Sequence, residues 1–262
     1  MSAAFRYEFL MQVRKRSMWV AYGVIVLLLG LLSFRTLGDV LHDPVAKETV
    51  ASIAFLVNLI LPVGYGCFLA DRLVRDDRLG VAAVLDATPA STAGRLAGKY
   101  LGACAAAAIP LAIVHFGFAG LYAAVAGRPV ALGWAVALFA VVIVPALLFV
   151  GAFALVVPLF VPAPLFRVLF VGYWFWGNAI YPGSMPTLSQ SLVSPIGGYP
   201  LQVMFGYPGG DVEIAGPVPG ALLNFLRPEA TTATAWLSIG VLLALAALVL
   251  SAAPALRART TR

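Results

Sequence analysis

The chain alternates long uncharged stretches with short charged ones. Residues 17–34, 49–70, 100–127, 129–166, 168–210 and 230–256 contain no Asp, Glu, Lys or Arg. A bilayer core takes about 20 apolar residues per helical span, so the first, second, third and last stretches each predict one. As a single helix, 129–166 would reach about 57 Å at 1.5 Å per residue, well beyond a hydrocarbon core of about 30 Å. It must bend back, and Pro158, Pro162 and Pro164, none of which carries an amide hydrogen, mark the place. The pattern predicts an all-α integral membrane protein with six transmembrane helices at 17–37, 49–70, 100–126, 131–157, 165–181 and 232–254, a single transmembrane domain over 1–262.

Composition agrees with the pattern. Of 262 residues, 62% are hydrophobic and 11% charged, against about 25% charged in a soluble domain, which excludes an ordinary water-soluble globule. The formal charge of +6 is spread between apolar runs rather than gathered in a stripe, so no nucleic-acid partner is expected. The basic residues instead set orientation, because positively charged loops stay cytoplasmic. With the N-terminus inside, the inner segments hold Arg6, Arg14, Lys15, Arg16, Arg72, Arg75, Arg78, Arg95, Lys99, Arg167, Arg257, Arg259 and Arg262. The outer ones hold only Arg35, Lys47, Arg128 and Arg227. Both termini are therefore expected in the cytoplasm, and the 1–16 stretch is a topology signal or interfacial helix, not a cleaved leader. Cys67 and Cys104 lie far apart in apolar runs with no metal or redox spacing, and are read as buried, reduced packing residues.

Three segments are not spans. Residues 1–16 predict an interfacial helix with Phe5, Phe9, Leu10 and Val13 on its membrane side and Glu8, Gln12 and Lys15 opposite, lying in the headgroup region. In 71–99, six charges fall within eight residues (Asp71, Arg72, Arg75, Asp76, Asp77, Arg78); at about 2.5–3.5 kcal/mol each they do not belong at a bilayer centre. The segment reads as a cytoplasmic helix, a break, and a second helix capped by Thr88 with Pro89 at its first position, running into span three. Residues 182–229 hold eight Gly and eight Pro. Here 187–205 is apolar enough to enter the membrane, but Pro195, Gly197, Gly198 and Pro200 forbid an unbroken span. The segment predicts an external, re-entrant-like region, shielded from lipid by the other spans.

Catalytic signals are scarce. The run from Gly94 to Tyr100 lacks the spacing and the Ser or Thr of a phosphate-binding loop. Gly183 and Ser184 make no nucleophile elbow. His115 stands alone in span three and is read as satisfied by a neighbouring helix. No pair of carboxylates lies within the spans, which speaks against a proton-coupled carrier. What remains inside is polar and uncharged. Asn58 and Tyr65 on span two and Trp174 and Asn178 on span five are the candidates for lining a substrate path, while Trp174 and Trp176 also fit an interfacial aromatic belt. Pro62, Pro110 and Pro145 would let spans two to four flex.

The inner segment resembles the membrane subunits of ATP-binding cassette transporters of the type 2 permease class, mostly bacterial exporters. The likeness lies in Arg75, Asp76, Asp77 and Gly80, a Leu ahead of Thr88 and Pro89, then Ser91, Gly98 and Lys99. The six-span layout, the N-terminal helix and the long loop before span six are similar too. The resemblance implies coupling to the ATPase through Arg75, Asp76, Asp77, Gly80, Thr88 and Pro89. It also implies two partner ATPase subunits that carry the ATP and magnesium, no cofactor in this chain itself, and a second permease copy or paralogue. The expected location is a bacterial inner membrane, and the expected role is a transport subunit, not an enzyme. A stand-alone channel or secondary carrier is the rival reading.

Overall fold

The computed structural model describes residues 2–32, 45–73, 91–207, 209 and 213–260. These are mostly helical, with a largely irregular stretch between residues 179 and 231 and no strand among them. In chain order the helices are α1 (Ser2–Val13), α2 (Arg16–Leu32), α3 (Ala46–Leu69), α4 (Thr92–Val125), α5 (Val130–Leu138), α6 (Val144–Val156), α7 (Ala163–Asn178) and α8 (Thr232–Thr260). Among the described residues, four helical stretches are long and apolar enough to cross a membrane: Ala46–Leu69, Ala93–Val125, Val130–Leu159 and Thr232–Pro254. Helix α2 has 17 described residues and α7 has 16, so α7 reaches about 24 Å at 1.5 Å per residue.

Helix α3 touches α2, α4, α5, α6 and α7, and α8 lies along α6. The core therefore forms around α3 and the α5–α6 rod, with Leu61, Leu111, Leu138, Ile143 and Leu155 fully enclosed. That rod is not one regular helix. At Phe139–Ile143 it widens into a π turn, immediately before Pro145, which has no amide to return to the ladder. The bend expected at the proline cluster is present: a 3₁₀ turn at Val157–Leu159 ends the rod, and Pro162 caps α7.

Two expectations are corrected. Helix α4 is one rod of 34 residues that starts at Thr92, with the Ser91 hydroxyl accepting from the Gly94 amide at 3.2 Å. Ser91 is extended, so no earlier helix continues into α4; Thr88 and Pro89, the expected start, lie outside the described residues. The second correction concerns α1, which turns its polar stripe inward. Glu8 and Gln12 are buried while Tyr7 is 71% exposed, because α1 packs that side against α4. The approach is close: a Cβ at Gly102 would stand 2.6 Å from the Phe5 carbonyl oxygen, so only glycine permits it.

Candidate functional site

The two ends of the bundle differ in chemistry. At the end of α3, charged groups are paired across helices. The Arg72 guanidinium lies 3.5 Å from the Glu8 carboxylate of α1, both nearly fully buried, and Gln12 donates to the same carboxylate at 3.0 Å. Beside it, Arg167 at the start of α7 is ion-paired with Asp71 and donates from Nε to the Cys67 carbonyl at 3.1 Å. Asp71 and Arg72 are thus each tied to a different helix. Residues 74–90 follow one position later and lie outside the described residues. Arg75, Asp76, Asp77, Gly80, Thr88 and Pro89, the sequence candidates for ATPase coupling, are all among them.

Halfway along α3 the chemistry is neutral. Asn58 points its amide at three carbonyls, Val142 at 3.4 Å, Pro195 at 3.2 Å and Ile196 at 3.1 Å. Val142 belongs to the π turn, where the regular ladder is interrupted. Pro195 and Ile196 belong to the irregular segment 187–205, which packs among the helices with Ser194, Ile196, Tyr199 and Leu201 buried. Gly197 adopts φ +79°, and a Cβ there would stand 2.9 Å from Val142 Cγ1. Side-chain donors thus replace the hydrogen bonds that irregular backbone lacks in an apolar interior.

Trp174 is completely buried and donates from its indole to the Leu59 carbonyl at 2.6 Å. An aromatic-belt role for it is therefore overturned, since a belt residue keeps its polar edge in water. Asn178 donates to the Trp174 carbonyl at 2.9 Å and accepts from Ser194 at 2.9 Å. Asn58 and Asn178 therefore converge on the same stretch of 194–196, and Trp174 is bonded to Asn178 and to Leu59, the residue after Asn58. Tyr65 does not join them. It lies two turns further along α3, fully buried, its hydroxyl without a hydrogen-bond partner among the described residues. His115 is met by a neighbouring helix as expected, its Nε2 at 3.0 Å from the Ala135 carbonyl. Cys104 is buried, whereas Cys67 is only half-buried; both are free.

Several participants carried no sequence signal of their own role. Arg227 was counted only as an external charge. It is 1% exposed and donates to the carbonyls of Ser189 at 3.0 Å and Thr187 at 2.5 Å, with Nη1 unpaired among the described residues. Burial pushes its pKa below the ordinary arginine value. The hydroxyls of Thr187 and Ser189 in turn reach the carbonyl of Trp176, in the last turn of α7, and that of Ile180, just beyond its end. The density of Ser and Thr in 187–194 was the one available hint.

Two cavities flank this region. One, of about 290 Å³, is bordered by Phe55, Leu59, Asn178, Ser189, Gln190 and Ser194, with Tyr181 and Tyr207 at its side. The other, of about 440 Å³, is a groove floored by Phe149, Val150 and Phe153 and walled by α7 and by Leu245 of α8. Among the described residues no group of three His, Cys, Asp or Glu stands together as a metal site. Comparison of the chain with known protein families, curated proteins and solved structures finds no match.

Proposed function

We infer that the chain is the permease subunit of an ATP-binding cassette exporter. It moves an amphiphilic or apolar solute, such as a drug, a peptide antibiotic or a lipid-like molecule, across a bacterial cell membrane with energy from separate ATPase subunits. In this reading α2 and α7 complete six spans, the Arg72 end faces the cytoplasm, and 187–205 re-enters from the outer side. The supporting observation is the fastening of Asp71 and Arg72 to α7 and α1. Any force on the 74–90 segment meets two helices at once, which is what a lever requires. A lever shifts a conformational equilibrium only through contacts that differ between its states.

The decisive measurement is purification of the complex in mild detergent followed by reconstitution. The expected result is co-purification of an ATPase subunit and ATP-dependent transport. Asp77→Lys and Gly80→Pro should insert normally yet uncouple ATP hydrolysis from transport. Unchanged substrate-stimulated ATPase activity in both variants removes the lever role, and transport by the isolated chain without ATP establishes the channel or carrier instead.

A further inference from the structure

The corner between α1 and α2 carries Arg14, Lys15 and Arg16 in succession, all exposed. Its height along the bundle follows from two ring contacts. The Tyr22 ring of α2 stacks on Phe68 at 6.4 Å, and the Lys15 ammonium stands 5.9 Å from the centre of that same ring. Phe68 is in the last turn of α3, a helix long and apolar enough to span, and the charges of Asp71 and Arg72 follow just beyond it. Formal charges are expensive at a bilayer centre, so this end of α3 marks the boundary between hydrocarbon and water, and the three cations lie along it. Trp19 donates its indole N–H to the Val13 carbonyl at 2.7 Å and ties the corner together; tryptophan favours that same boundary.

The acids at this end are committed elsewhere. Glu8, the only acid in residues 1–32, is turned inward to Arg72 and Gln12, and Asp71 is held by Arg167. Arg14 and Arg16 form no ion pair with a described residue. Residues 74–90 do not reverse the balance: with all their acids counted, 1–16, 71–99 and Arg167 together hold ten Lys and Arg against five Asp and Glu. We propose that this corner binds the head group of an anionic phospholipid, with Arg14, Lys15 and Arg16 around the phosphate. A guanidinium donates to two phosphate oxygens at once, and each cation near an anionic surface strengthens the attraction about fivefold. A lipid fits better than a soluble anion or an acidic protein because of what lies beneath. Arg16, Val20, Val24 and Leu27 follow at helical spacing on one face of α2, and all four are exposed. The charge thus stands at the head of an apolar stripe along which acyl chains can lie. The site goes beyond the exporter reading, since it depends neither on the cargo nor on ATP.

The test places the full chain in phosphatidylcholine nanodiscs with a trace of phosphatidylglycerol that carries a diazirine beside its head group. Phosphatidylcholine with the same label is the comparator. Adducts on the peptide covering 9–24 should favour phosphatidylglycerol about tenfold, and the preference should shrink as salt is raised. Arg14→Gln combined with Arg16→Gln should cut it to about twofold or less, whereas Arg14→Lys with Arg16→Lys should keep most of it. Arg128→Gln, an exposed cation just past the other end of α4, should leave it unchanged. The salt series on the unaltered chain decides the matter even where the double Gln variant does not insert. Equal labelling by the two lipids overturns the proposal, as does a preference just as strong on the peptide covering 121–134. Displacement of the probe by soluble glycerophosphoglycerol assigns the corner to a free phosphate and overturns it too. If the double Gln variant keeps its lipid preference but loses a co-purifying ATPase, the corner is a protein-docking surface and the proposal falls.

Discussion

Two buried arginines show two ways of holding charge inside an apolar fold. Arg72 is matched by a carboxylate from another helix, whereas Arg227 is matched by two main-chain carbonyls and by no acid among the described residues. The first arrangement joins α1 to the turn that follows α3 through side chains alone. The second substitutes for a missing hydrogen-bond ladder in 187–189, so it fixes a path of the backbone. In the proposed exporter the first end is the one that would transmit movement and the second the one that would resist it.

The contrast can be broken at several points. Glu8→Ala leaves Arg72 without its carboxylate, and loss of one partner of a buried pair costs about 3–5 kcal/mol. The thermal midpoint in detergent, read by tryptophan fluorescence, should fall most in this variant and recover in part in the exchanged pair Glu8→Arg, Arg72→Glu. Arg227→Met should cost less, about 2 kcal/mol. Two carbonyls are orphaned at about 1–3 kcal/mol each, while the desolvation penalty of the guanidinium disappears. Protease cutting within 187–199 is the second readout, since the staple acts there and not on the helices. Trp174→Phe removes one interhelical bond worth about 0.6–2 kcal/mol. Arg167→Gln, whose ion pair with Asp71 is about 40% exposed, should shift stability by about 0–1 kcal/mol, weaker still in high salt. A larger loss from Arg167→Gln than from Glu8→Ala would reverse the assignment of the anchoring pair.

The helices were legible because their signal is local. Runs of uncharged residues located α3, α4, α5–α6 and α8, and three prolines marked the bend before α7. The orientation of α1 was not legible. Its wheel separates Phe5 and Phe9 from Glu8 and Gln12, but which side faces protein depends on Arg72, 64 positions away. The neutral candidates Asn58, Trp174 and Asn178 were found as intramembrane polar residues, and the structure brings those three together. Tyr65 satisfied the same criterion and stands apart, since composition does not encode the level at which a side chain meets its neighbour. Arg227 was missed for a related reason: a charge in a Gly- and Pro-rich loop looks solvated until the loop is known to fold inward.

The widened turn at Phe139–Ile143 holds one more residue than a regular turn of helix would need. Each residue of an α-helix advances the side-chain direction by about 100°. The wide turn absorbs its surplus residue, so excising a single position would restore a regular ladder with little change of facing, whereas forcing all the residues into a regular ladder would rotate everything from Val144 onward by about 100° relative to Val130–Leu138. The groove-facing surface of Phe149, Val150 and Phe153 therefore owes its direction to the widening of that turn, which takes up the surplus residue without passing its rotation on.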